Sequence, residues 1–305
     1  MQIYLPIAEL SVDVFYLLAI GGGVGLLSGL IGVGGGFLLT PLLIFLGIPP
    51  TIAVGTGSNQ VVAASVSGAL AHWRRGNVDL AMGAVLLAGG IVGSTLGVWM
   101  FRVLRALGQI DLVISLFYVV FLSAIGFLML VESVRAWQRS RNPSAPRRKL
   151  HQHYLVHRLP LRMRFRRSKL YISALVPFGL GLIAGVLTAI MGVGGGFLMV
   201  PAMIHLVGMP TSVVVGTSLF QIIFVTANVT FLLAVGTHTV DLILAAVLMA
   251  GSVVGAQFGT RLGVKLRGEH LRALMGLLVL AVAARVAWTL VVTPDDPFFL
   301  APVAS

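Results

Sequence analysis

Cysteine is absent from this chain, so no thiolate metal site exists and the redox compartment leaves no mark. Charge is scarce, with only 10% of 305 residues ionised and nine acids among them. Those acids are Glu9, Asp13, Asp79, Asp111, Glu132, Asp241, Glu269, Asp295 and Asp296. All of them fall at the ends of apolar stretches or in polar segments, so none stands as a proton carrier deep in a membrane. No Lys or Arg precedes the first apolar run, where a cleaved signal peptide needs a basic region, and none is expected. What fills the chain instead is apolar: 58% of residues, at a mean hydropathy of +1.02. Several stretches reach the ~20 apolar residues that cross a bilayer. Such a composition excludes an ordinary soluble domain.

The chain is written twice. Gly29 to Gln60 reads GLIGVGGGFLLTPLLIFLGIPPTIAVGTGSNQ, and Ala189 to Gln221 reads AIMGVGGGFLMVPAMIHLVGMPTSVVVGTSLFQ. Gly32 and Pro41 recur 160 residues on as Gly192 and Pro201; Gly55, Thr56 and Gln60 recur at 161 as Gly216, Thr217 and Gln221. Val78-Asp79-Leu80 recurs at 162 as Val240-Asp241-Leu242, and so do Gly89, Gly93 and Gly97 as Gly251, Gly255 and Gly259. Duplication on this scale points to a transporter built from two related halves.

Apolar stretches predict spans over 14–31, 52–73, 80–101 and 110–131, and again over 170–190, 212–235, 242–262 and 271–292, with short apolar helices at 37–46 and 197–206. The domains are a first transmembrane repeat over 1–131, a basic linker over 132–169, a second repeat over 170–293 and a tail over 294–305. The linker holds twelve Lys and Arg residues, from Arg135 to Lys169, and is cytoplasmic by the positive-inside rule. Five crossings per half also put Arg74, Arg75, Arg261, Lys265, Arg267 and Arg272 inside, leaving only Arg102 and Arg105 outside with both termini. An odd number of crossings inverts one half relative to the other. The expected fold is an all-α membrane protein of about ten membrane helices: two inverted five-helix repeats, each with a short glycine-broken helix.

The runs Gly32–Phe37 and Gly192–Phe197 break their helices, since each Gly costs ~1 kcal/mol relative to Ala. In hydrocarbon such breaks survive only in protein or at a wet cavity. The helix start behind each break offers free N–H groups and roughly half a positive charge. Inverted copies aim two such starts at one midplane site for a small anion. Glycines that merely permit close helix packing are the bland alternative. A dinucleotide fingerprint is rejected, because the flanks are apolar spans and the next acid after Gly36 is Asp79; no cofactor is expected. The candidate binding residues are Gly34, Gly35, Gly36, Thr56, Ser58, Asn59, Gln60, Gly194, Gly195, Gly196, Thr217, Ser218 and Gln221. Serine and threonine also bond back to their own helix, whereas a buried glutamine amide needs partners. Asp79 and Asp241 are read as helix-start charges, Asn228 and Thr226 as interhelical bonders. His205 is read as structural, and Arg285 as a deep cation that snorkels or meets carbonyls at a dimer interface.

The doubled glycine turn, the proline nine residues on and the GT-x-x-x-Q stretch resemble the TauE/SafE sulfite-exporter family over both halves. The resemblance implies a cytoplasmic-membrane carrier of small sulfur anions such as sulfite, sulfonates or thiosulfate. Two departures stand out: the long basic linker, and Phe220 where the first half has Asn59. Partners are then a small anion and the lipid bilayer, with a homodimer left open and no nucleic acid. The alternatives are an ion-coupled anion importer or a membrane scaffold docking through its linker. No acid–base pair or metal cluster lies at depth for an enzyme.

Overall fold

The computed structural model describes residues 2–31, 34–141, 161–165, 167–168, 170–263 and 268–292. Most of the basic linker, together with Gly32, Lys265, Arg267 and the tail from 293, lies outside the described residues. The first half runs β1 (Gln2–Leu5), β2 (Leu10–Asp13), α1 (Val14–Ile31), α2 (Gly36–Phe45), α3 (Pro50–Arg74), α4 (Leu80–Ala106) and α5 (Ile110–Arg141). The second runs β3 (Arg162–Phe165), β4 (Leu170–Ser173), α6 (Leu175–Met191), α7 (Gly196–Ala202), a π turn over Met203–Val207, α8 (Thr211–Thr237), α9 (Leu242–Gly263) and α10 (Gly268–Val291).

Among the described residues, four helices are long and apolar enough to cross a bilayer: α4, Ile110–Val131 within α5, α8, and Leu242–Leu262 within α9. Apolar but shorter are Val14–Leu30, Gly36–Phe45, Leu175–Met191 and Gly276–Val291. Seventeen residues at 1.5 Å each reach only about 25 Å of a hydrocarbon layer of roughly 30 Å. Large apolar side chains such as Trp99, Phe127, Val254 and Phe258 point outward, as lipid-facing residues do. Arg285 is also exposed, on the outer side of α10.

Two expectations change. Residues 170–173 do not open a helix; they form β4, paired with β3 in the register Phe165↔Leu170 and Arg162↔Ser173. Phe165 and Ile172 go into a buried cluster with Met82 and Leu86, so β-prone residues bury their inner face before the helix begins. The last helix of the first half also continues to Arg141, well past Val131, because leaving the apolar layer does not end a helix.

Each half therefore opens on a β-hairpin, and each hairpin serves the opposite half. Asp79 caps α4 by accepting from Met82 N at 3.2 Å, and takes the Ser168 N and Oγ of the second hairpin at 2.9 and 2.7 Å. Asp241 accepts from Ile243 N and Leu244 N, each at 3.0 Å, and from Ile7 N of the first hairpin at 3.1 Å. Both acids are helix-start charges, as their positions in the sequence suggested.

Helix pairing carries the same exchange. Small residues let α1 lie on α9 and α6 on α4 with backbones nearly touching. A Cβ added to Gly21 would stand 2.7 Å from the Leu248 carbonyl oxygen, and one on Gly25 or Gly29 would collide with the carbonyls of Ser252 or Ala256. Gly89, Gly93 and Gly97 meet Phe178, Leu182 and Val186 in the same way. In both pairs the residue numbers rise together, so the helices run parallel. The pairs α3–α8 and α5–α10 run antiparallel: Gly68 meets Leu219 while Gly55 meets Thr239, and Gly126 meets Leu280 while Gly276 meets Leu130.

Candidate functional site

Both glycine runs enter the left-handed region, and in the second it is Gly192, at φ 68°, that ends α6. Gly34 and Gly35 have φ of 89° and 73°, and Gly194 and Gly195 of 77° and 69°, values a side chain would strain. Gly35 starts α2 and Gly195 starts α7, and no side chain caps either start. The first N–H groups of both helices thus keep their donor capacity.

The two turns meet. A Cβ on Gly36 would stand 2.7 Å from the Gly192 carbonyl oxygen, so only glycine admits this approach. Gly34 and Gly194 both lie against Val61 of α3 and Ile222 of α8, near the middle of those helices. The rings of Phe37 and Phe197 face each other with centroids 6.4 Å apart. Each turn also has a hydroxyl beside it. Ser65 Oγ would be 3.6 Å from a Cβ on Gly34, and Thr226 Oγ1 3.5 Å from one on Gly194. Both residues are fully buried, and neither hydroxyl has a hydrogen-bond partner among the described residues. Behind them Ser28 packs on Gly35 and Thr188 on Gly195. Uncapped amide donors and unspent hydroxyls are the groups a neutral site offers to a small anion.

The family model for the sulfite exporter TauE/SafE matches residues 17–286. The chain belongs to that family. Among curated proteins it is 30% identical over 267 residues to the probable membrane transporter protein YjnA of Bacillus subtilis, covering 87% of this chain and 96% of that one. It is 31% identical over 278 residues to a probable membrane transporter protein of Xylella fastidiosa, covering 88% and 92%. No solved structure matches it significantly. As a TauE/SafE protein it is a multi-pass membrane transporter, with a small substrate and a lipid environment.

Not every residue singled out from the TauE/SafE sequence lies at the turns. Thr56 Oγ1 accepts from Asp241 N and Thr217 Oγ1 from Asp79 N, both at 3.0 Å, so these hydroxyls seat the helix starts of the opposite half. Ser58 Oγ donates to Val54 O at 2.8 Å and Ser218 Oγ to Val215 O at 3.1 Å, each within its own helix. Asn59 is half-buried on α3. Gln60 and Gln221 are fully buried one residue before Val61 and Ile222, and all four of their amide atoms lack partners among the described residues. Gln221 turns toward α4, its Nε2 2.8 Å from where a Cβ on Gly90 would stand. Asn228 bonds between helices as expected, its Nδ2 donating to Ser94 Oγ at 2.9 Å. Thr226 does not: it sits at the turn instead. Ser65, Ser28 and Thr188 were not among the candidates, although Ser28 and Thr188 are 160 apart and Ser65 and Thr226 are 161 apart, the repeat's own spacing.

Proposed function

We propose that this chain exports small sulfur-containing anions, of the sulfite or organosulfonate class, by alternating access around the paired glycine turns. The observation that carries this reading is the meeting of two uncapped helix starts, each with an unpartnered buried hydroxyl against it. Two inverted five-helix repeats are part of the proposal. Its support is that matched helices, α3 with α8 and α5 with α10, pack antiparallel, as counterparts of opposite direction must. In this arrangement the basic linker is cytoplasmic at the inner membrane and both termini are external. Gly34 to Gly36 and Gly194 to Gly196 supply the amide donors. Gln60 and Gln221 supply amides with no other use, while Thr56, Ser58, Asn59, Thr217 and Ser218 hold the surrounding frame. An anion leaving a negative-inside cell gains ~2.3 kcal/mol per charge per 100 mV, so export needs no coupling ion.

Sulfite efflux from proteoliposomes tests the reading. Losing a hydrogen bond to a charged solute weakens binding by about 1.5–3 kcal/mol, roughly ten- to a hundredfold. Gln60→Leu and Gln221→Leu should lower flux by that order while thermal stability holds, since the amides have no partner to lose. Wild-type flux in both variants would remove the glutamines from the site. Gly35→Val and Gly195→Val test the turns less cleanly, because both positions carry φ near 70° and strain any side chain.

A further inference from the structure

We propose that the permeating anion travels along the seam between α3 and α8, past His72 on one side of the glycine turns and Thr230 on the other. This rests on the anion-carrier reading above. It starts from where the protein leaves polar atoms unpaired. Burying a hydroxyl, amide or imidazole nitrogen without a partner costs about 1–3 kcal/mol, and folded proteins keep few such groups. Here the buried side-chain atoms without a hydrogen-bond partner, among the described residues, belong to Gln60, Ser65 and half-buried His72 on α3 and to Gln221, Thr226 and half-buried Thr230 on α8, while Thr40 of α2 lies against the Tyr118 hydroxyl. Other helices carry hydroxyls that are paired: Ser94 and Thr95 bond to Ile91 O, Ser115 to Asp111 O, Ser252 to Met249 O and Thr289 to Val286 O. Unspent polarity is thus gathered on the two helices that touch both glycine turns.

Its order along those helices describes a path. Ser65 and His72 are seven residues apart, two turns on one face of α3, and Thr226 and Thr230 are four apart on one face of α8. His72 Cβ lies against α8, 3.1 Å from where a Cβ on Gly216 would stand. Because α3 and α8 are antiparallel, Ser65 to His72 leads from the turns toward one end of the pair, and Thr226 to Thr230 toward the other. The two polar steps therefore extend in opposite directions from a shared centre at Val61 and Ile222. A chain of donors at successive depths, none bound so tightly that it cannot be released, is what a transported solute needs.

The chain has no cysteine, so single replacements need no background correction. Ser65→Cys, His72→Cys, Thr226→Cys and Thr230→Cys are reconstituted in liposomes and treated with a negatively charged, membrane-impermeant methanethiosulfonate reagent. Ser252→Cys is the control, on the α1–α9 contact and as fully buried as Ser65 and Thr226; His72 and Thr230 are half-buried, so for them the side of attack and the protection by methanesulfonate decide. Thiols on the seam should react more than about tenfold faster than that control, since a thiol packed in apolar surroundings is inert. His72→Cys should react from the linker side and Thr230→Cys from the opposite side, and excess methanesulfonate should slow both. Rates as slow as Ser252→Cys, or rates indifferent to methanesulfonate, would overturn the seam as the route. Wild-type flux measured alongside separates the two ideas: a reactive, protectable seam in a protein that moves no sulfite sinks the exporter reading alone.

Discussion

Thr56 and Thr217 show how one residue type is diverted from chemistry to architecture. Each hydroxyl takes the backbone N–H of an aspartate that lies 185 or 138 residues away in sequence and starts a helix of the other half. Thr56→Val keeps the shape and removes the acceptor, leaving Asp241 N–H buried and unpaired. A loss of about 1–3 kcal/mol is expected, read as a lowered unfolding temperature of the purified protein. Transport per folded molecule should persist. If flux is lost while stability is kept, Thr56 touches substrate after all. From the sequence, Thr56 and Ser65 differ in nothing that marks one as structural and the other as facing the turn. Only the contact partner separates them.

At the scale of helices, the recurring glycines do two jobs that the sequence leaves overlapping. Those at Gly34–Gly36 and Gly194–Gly196 break helices and meet each other. Those at Gly89, Gly93 and Gly97, and at Gly251, Gly255 and Gly259, stay helical and bring α4 onto α6 and α9 onto α1. A methyl group at Gly93 would meet the Leu182 carbonyl, backbone that cannot give way, whereas one at Gly23 meets nothing within 4 Å. Gly93→Ala should therefore destabilise by about 1–3 kcal/mol and Gly23→Ala should be neutral or better, as thermal unfolding in detergent would report. Equal behaviour of the two would mean that the α4–α6 contact is looser than described. The hairpins β1–β2 and β3–β4 escaped the sequence reading because two four-residue strands carry too little periodicity to stand out beside long apolar runs. Their position 160 residues apart, like the repeat's, was nevertheless visible in the numbering.

For the whole molecule, the proposed inversion requires the two capping aspartates to lie on opposite faces of the membrane. Asp79 is tied to the second hairpin and Asp241 to the first. A single cysteine placed at exposed Tyr171 should be labelled by an impermeant reagent from the linker side, and one at exposed Tyr4 from the other. Labelling of both from one side would end the inverted arrangement and the route built on it. The sequence by itself determined the membrane class, the duplication, most helix spans and the glycine breaks, because composition, period and local backbone preference act over a few residues at a time. Which hydroxyls face the turns, which seat the opposite half, and that both turns converge on Val61 and Ile222 were decided by tertiary structure alone. Those outcomes depend on how helices more than a hundred residues apart settle their register, and no local pattern encodes that.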